Sequence, residues 1–196
     1  MPDLEKLAKS LERWGVTLRV FPTAAQAADY LCDQIHGESV AFGGSMTLKA
    51  LDLYPRLSQD NQVLWHWEGG DPKQAMSTQV YLSSVNALAE TGEIVNMDGV
   101  GNRVASTIYG HQRVYFVAGI NKVVPDLESA IWRTRNIASP KNAQRLGRKT
   151  PCAVKGDRCY DCRSPERVCR ALTILYGPTQ GMAHMEVVLV EEELGL

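Results

Sequence analysis

The sequence predicts an α/β fold, an open and largely parallel sheet with helices on both faces, on three observations. Short apolar runs alternate with helically spaced segments along most of the chain. Runs such as Val114 to Ala118 are apolar throughout, as strands covered on both faces are. The length, 196 residues, is that of one domain able to bury about 70–75 % of its unfolded surface.

Taken in order, Leu4, Leu7, Ala8 and Leu11 follow helical spacing behind Asp3 as N-cap, with Trp14 on the apolar face and Gly15 as the stop. Val16 to Phe21 reads as a strand. Thr23 caps a helix through Leu31 to Ile35, with Cys32 on its apolar side, and Val40 to Phe42 is the next strand. A helix is expected from Met46 to Tyr54, ended by Pro55, then a strand from Val63 to Trp67. Val80 to Leu88 and Ile94 to Met97 read as strands, Asn102 to Tyr109 as a helix, and Val114 to Ala118 as a buried strand. Asp126 to Ala138 is amphipathic, with Trp132 toward the core. Ser139-Pro140 has the chemistry of an N-cap and first helical residue for a further helix to about Leu146. Leu172 to Tyr176 and Val187 to Val190 are two late strands that close the chain. The whole chain, 1–196, reads as one domain, with a cysteine-rich insertion at about 147–170 that lacks large apolar residues.

Composition narrows the function. A formal net charge of −1 removes the bulk electrostatic case for nucleic acid or an anionic membrane surface, and no long uncharged apolar run is present for membrane insertion. The chain opens Met-Pro-Asp-Leu-Glu without an export signal, so a cytoplasmic, reducing location is expected. There, clustered cysteines point to metal ligation or thiol chemistry.

Gly43-Gly44-Ser45 lies between the strand ending at Phe42 and the following helix. Glycines allow close backbone approach and positive φ, and Ser45 and Thr47 add hydroxyls, so the turn suits a small anionic ligand at a strand's carboxyl end. The plainer reading is a turn with Ser45 as N-cap. Glu90 to Arg103 forms a second polar stretch between strands. Glu90 or Glu93 can serve as nucleophile or base and Asp98 as base, while Thr91, Gly92, Asn96, Asn102 and Arg103 offer ligand contacts. The alternative is a hairpin around Thr91-Gly92 with Asn102 capping the next helix. Asn121-Lys122, after the buried strand, offers a cation to an anion. Among the histidines, His66 reads as a hydrogen-bonded structural residue, His111 as part of a surface turn, and His184 as a loop residue near the last strand.

Cys152, Cys159, Cys162 and Cys169 form C-x6-C-x2-C-x6-C. Ordering this segment costs about 20–30 kcal/mol in backbone entropy. A four-thiolate metal site can offset on the order of 10 kcal/mol of that. One tight pair with wide flanks favours a [4Fe–4S] cluster over zinc, whose ribbons carry two tight pairs. Lys149, Lys155, Arg158, Arg163, Arg167 and Arg170 would balance the thiolate charge. Reduced structural cysteines or a redox dithiol at Cys159 and Cys162 remain open.

Three segments, Phe42-Gly-Gly-Ser-Met-Thr-Leu, Ala89-Glu-Thr-Gly-Glu-Ile-Val and Val117-Ala-Gly-Ile-Asn-Lys-Val-Val-Pro-Asp-Leu-Glu-Ser-Ala, resemble in order the lactate-utilization (LUD) domain family. The resemblance spans roughly residues 5 to 190. It implies a fold like that of ribose-5-phosphate isomerases, glucosamine-6-phosphate deaminases and coenzyme A transferases, with ligands at strand-end loops. It also implies a role beside iron–sulfur oxidoreductase partner proteins in lactate oxidation, and self-association is expected of this fold. The family's usual Glu-Thr-Gly-Thr reads Glu90-Thr-Gly-Glu93 here, a carboxylate in place of a hydroxyl, which leaves the ligand open. Two other readings stand beside this one: a transferase or isomerase of the coenzyme A and sugar-phosphate kind, and a ligand sensor with structural zinc.

Overall fold

The structure, a computed structural model that describes residues 2–196, contains a six-stranded parallel sheet in the order β1-β10-β7-β4-β2-β3. Its strands are β1 Thr17–Phe21, β2 Ser39–Phe42, β3 Gln62–Trp65, β4 Val80–Ser83, β7 Arg113–Gly119 and β10 His184–Val190. A second sheet, β8-β5-β6-β9, comprises β5 Ala87–Ala89, β6 Ile94–Asp98, β8 Val123–Val124 and β9 Ala171–Leu175. Its pairs β5·β6 and β6·β9 are antiparallel. The helices are α1 Leu4–Arg13, α2 Ala24–Gln34, α3 Met46–Ala50, α4 Leu53–Leu57, α5 Pro72–Ala75, α6 Asn102–Ser106, α7 Leu127–Arg133, α8 Ser139–Arg145 and α9 Pro151–Lys155.

The expected open α/β sheet is present, and the side-chain alternation of β7 shows how both its faces are filled. Val114, Phe116 and Ala118 join the cluster that packs Leu7 and Leu11 of α1. Tyr115 and Val117 face the opposite way, into the cluster that holds Ala27 and Leu31 of α2 and Leu53 and Leu57 of α4. The small sheet lies on the α1 side, where Leu88, Ile94 and Leu175 enter the same cluster as Phe116. From β2 the chain steps outward to β3, then returns to β4 on the other side of β2 and continues to β7 and β10. The loops after β2 and β4 therefore part at a topological switch point, where such sheets form a crevice.

Several expected elements are corrected. The apolar run Val80 to Leu88 is two strands in two sheets, because the chain leaves the parallel sheet after Ser83 and enters the small one at Ala87. The helix expected from Met46 to Tyr54 breaks at Asp52, which is left-handed at φ 50°. Pro55 then sits in the first turn of α4, where its missing N–H costs nothing, and does not end a helix. The strand at Val63 ends at Trp65, and His66–Glu68 form a 3-10 turn. Ser139-Pro140 does not start a helix: α7 runs through a π-helical segment, Thr134–Ala138, into α8. The π-turn accommodates the proline ring, and the Ser139 hydroxyl donates to the Thr134 carbonyl at 2.7 Å. The segment 147–170 contains the short helix α9.

Two tryptophans expected in the core are at the surface. Trp14 is 39 % exposed and packs on Tyr176 with ring centroids 4.8 Å apart, and Trp132 is 59 % exposed. His111, expected on the surface, is buried and pairs through Nδ1 with Thr78. His184 opens β10 and pairs with Glu186 at 3.0 Å. Cys32 packs against the α2 side of the core. No helix among the described residues is long and apolar enough to cross a membrane. Phe116 is fully buried in the central strand pair β7·β10, so Phe116→Ala is expected to lower the unfolding free energy by about 3–5 kcal/mol, measured by urea titration.

Candidate functional site

The crevice at the switch point is a cavity of about 280 Å³. Gly44, Ser45 and Thr47 reach it from the loop after β2, Ser84 and Asn86 from the end of β4, Asp98, Asn102 and Arg103 from the end of β6, and Lys122 from the end of β7. His66, Trp67, Arg145 and Arg148 line the same space.

Lys122 is the chemical centre of this cavity. Its side chain is buried, with the residue 3 % exposed, and Nζ donates to Thr47 Oγ1 and Ser84 Oγ, both at 2.9 Å. Ser84 Oγ in turn donates to Thr47 Oγ1 at 3.2 Å. Two further cations are buried nearby, Arg103 and Arg133; among the described residues no Asp or Glu side chain forms an ion pair with any of the three, while Asp98 lies near Arg103 and Arg133 donates to Leu196 O at 3.5 Å. Burial, with the charges of Arg133 and Arg103, pushes the Lys122 ammonium down to about 7. Burial also lowers the guanidinium pKa of Arg103 and that of Arg133.

Arg103 is committed to structure. Its guanidinium donates to Ser84 O at 3.2 Å, Asn96 Oδ1 at 2.6 Å, Asn86 Oδ1 at 3.1 Å and Met97 O at 2.7 Å, which ties β4 to β6 behind the cavity. Asn96 is therefore behind the wall. The Asp98 carboxylate faces the cavity but accepts from the backbone N–H groups of Gly99, Gly101 and Arg103, the capping role expected of Asn102. Ser45 caps α3 through Leu48 N–H at 3.2 Å and lines the cavity as well. Neither Gly43 nor Gly44 has a positive φ. Their lack of a side chain serves packing: a Cβ at Gly43 would lie 2.7 Å from Tyr81 Oη and 3.1 Å from Arg103 Cγ, and one at Gly44 3.2 Å from His66 Cε1. His66 makes no hydrogen bond to the described residues and faces the cavity, contrary to its structural reading, and burial lowers its pKa.

The turn that carries Glu90, Thr91, Gly92 and Glu93 does not reach the cavity. Glu90 accepts from Asp3 N–H at 2.9 Å and pairs with Lys6 at 3.3 Å, Thr91 donates to Glu93, and Gly92 lies under Trp14. It is the hairpin turn between β5 and β6. Asn121 accepts from Leu194 N–H at 3.1 Å and lines a separate surface hollow beside Trp132. Sequence reasoning missed Ser84, His66, Arg145 of α8 and Arg148 just beyond it. Ser84 had a readable signal, a hydroxyl at the carboxyl end of a strand; the others reach the cavity only through tertiary packing.

The four cysteines of the C-x6-C-x2-C-x6-C segment are free thiols that line one cavity of about 210 Å³ with Arg135, Arg167, Arg170, Met97, Val168 and Leu172. Arg167 donates to the carbonyls of Cys162 at 3.1 Å and Cys169 at 3.0 Å, and Asp161 N–H reaches Cys159 Sγ at 3.3 Å from a left-handed residue, φ 46°. Of the six basic residues expected to balance the thiolates, Arg167 and Arg170 line this cavity, and Arg135 joins them. Among the described residues, no three of His, Cys, Asp and Glu converge closely enough to hold a single metal ion. Met97, Ser139 and Val168 line both this cavity and the one around Lys122, so one layer of side chains separates the two.

The buried lysine has a consequence for stability. Arg103 from α6 and Arg133 from α7 face it, and Asp98 and His66 share its cavity. Below about pH 7 both folded and unfolded Lys122 hold the proton; between about 7 and the ordinary 10.5 only the unfolded chain does. Folding then releases a proton, and stability rises with pH across that window. Urea midpoints measured from pH 6 to pH 10 are expected to show this rise relative to Lys122→Met, which lacks the titrating group.

No curated protein matches this chain. A crystal structure of a DUF162 family protein from Deinococcus radiodurans superposes over 95 % of both chains with a TM-score of 0.60 at 14 % sequence identity, a likeness of fold. The LUD domain model matches residues 4–190, which is nearly the whole sequence and includes every loop of the cavity described above. The chain therefore belongs to the LUD domain family.

Proposed function

We propose that the chain binds a small carboxylate or phosphorylated ligand in the cavity floored by Lys122 and supports an oxidoreductase system through a [4Fe–4S] cluster held by Cys152, Cys159, Cys162 and Cys169. The observation that carries this reading is the shared wall. A cavity floored by a buried lysine with no carboxylate hydrogen-bonded to it stands one side-chain layer from a cavity lined by four thiols. An anion would supply a counter-charge to Lys122 and its neighbouring arginines, in a largely buried setting where electrostatic attraction is stronger than in water.

The cysteine cavity fits a cluster on its own chemistry. It offers four thiols, an N–H aimed at one sulfur, a cationic rim and apolar walls. A cluster spreads its four thiolates more widely than a single zinc ion does, which agrees with cysteines that share a cavity without converging on one point. When bound, the group would accept and release single electrons. The residues of this chain would hold it through the thiolates and balance its charge through Arg135, Arg167 and Arg170. A role beside iron–sulfur partner proteins in lactate utilization follows from family membership and is part of the same proposal. Of the rival reading, a transferase or isomerase with Glu90 or Glu93 as nucleophile or Asp98 as base, the nucleophile arm loses support because both glutamates lie outside the cavity, while Asp98 lines it with its carboxylate engaged by backbone N–H groups.

Anaerobic purification followed by iron, sulfide and zinc analysis tests the cluster. About four iron and four sulfide per chain are expected, with a reducible visible band that is lost in Cys162→Ser. Stoichiometric zinc, or a colourless protein whose melting is unchanged by Cys162→Ser, would contradict it. For the ligand, pyruvate, L-lactate or phosphate is expected to raise the thermal midpoint of the wild type but not of Lys122→Met, since a ligand that binds only the folded state stabilises by mass action. No shift with any of the three would count against the anion site.

A further inference from the structure

The hydrogen bonding of Lys122 is that of an amine, and this defines what the cavity can do beyond binding an anion. An ammonium has three N–H donors; a neutral amine has two and a lone pair. Lys122 has two acceptors, Thr47 Oγ1 and Ser84 Oγ, and no carboxylate or carbonyl for a third N–H. A buried ammonium here would have one donor without a protein acceptor, whereas both donors of the amine are met by protein hydroxyls and its lone pair is uncommitted. Burial and the two neighbouring arginines act in the same direction, with a pKa pushed down to about 7. A desolvated lysine beside other cations is an activated nucleophile.

We propose that Lys122 forms a reversible imine with a small aldehyde or ketone that carries a carboxylate or phosphate. The carbonyl carbon would meet Nζ at the cavity floor, and the anionic group would lie toward Arg145 and Arg148, which line the same space. The Arg145 guanidinium is steadied by Asn142 Oδ1 at 2.8 Å and by the Trp67 ring, 5.5 Å from its centroid. The step balances without an oxidant. The Nζ–C bond forms, the carbonyl oxygen leaves as water with the two amine protons, and the Thr47 and Ser84 hydroxyls stand within reach to relay them. This assignment rests on the anion site proposed above and names its substrate class.

Borohydride trapping decides it. The purified protein is incubated with pyruvate, glyoxylate or dihydroxyacetone phosphate and sodium cyanoborohydride, then analysed by intact mass and peptide mapping, with thermal midpoints for L-lactate and phosphate measured in parallel. The expected result is a single saturable adduct on Lys122, competed by phosphate or L-lactate, lost in Lys122→Arg and slowed in Ser84→Ala, both variants checked for folding by circular dichroism. No adduct, or scattered adducts on several lysines without competition, while L-lactate or phosphate still raises the midpoint, would overturn the imine and leave the anion site standing. No adduct and no midpoint shift would overturn both.

Discussion

Three strand-end loops of this protein meet at one buried nitrogen. Thr47 follows β2, Ser84 follows β4 and Lys122 follows β7, and the hydrogen bonds among their side chains close the crevice at the point where the strand order reverses. A lysine ammonium without a counter-charge is costly to bury, and that cost is what drives Lys122 toward its neutral amine. Arg103 is held by four carbonyl-type oxygens, which satisfy the N–H groups of its two terminal nitrogens, and its nearest carboxylate, Asp98, is itself engaged by backbone N–H groups. Arg133 donates to the backbone carbonyls of Asn121 and Asn86 and to Leu196 O. The result is a site that gains from any small anion and that holds its nucleophile ready at neutral pH.

The second sheet gives this site its neighbour. β6 ends at Asp98, whose carboxylate organises the turn into α6, and β9 pairs along its whole length. That pairing brings the end of the cysteine segment, Val168 to Arg170, against Met97 and thereby places the thiols behind the wall of the lysine cavity. The π-helical segment between α7 and α8 serves the same geometry, since Ser139 lines both cavities and α8 carries Arg145.

How much of this was legible in the sequence follows from which signals are local. The unbroken apolar run of β7 and the period-3.6 patterns of α1 and α2 depend on burial of nearby residues and read correctly. The caps Asp3, Thr23 and Ser45 read correctly for the same reason, each accepting from an N–H three residues on. The break within Val80–Leu88 did not, because both pieces are equally apolar and only the sheet assignment separates them. Lys122, Thr47, Asp98 and the four cysteines were recognisable as chemistry. The Glu90 turn looked equally rich in functional groups, yet its carboxylate is neutralised by Lys6, 84 residues away, a partner no local pattern discloses. His66 and Arg145 reach the cavity only through packing of distant elements.

The central claim is that Lys122 is a hydroxyl-held amine that loses its proton near neutrality and regains it when an anion binds. Titration of lysine Cε–Hε signals by NMR, assigned through Lys122→Met, reads this directly. A midpoint near 7 that moves upward in saturating phosphate is the predicted result. A midpoint at the ordinary 10.5, unmoved by phosphate, would contradict the account.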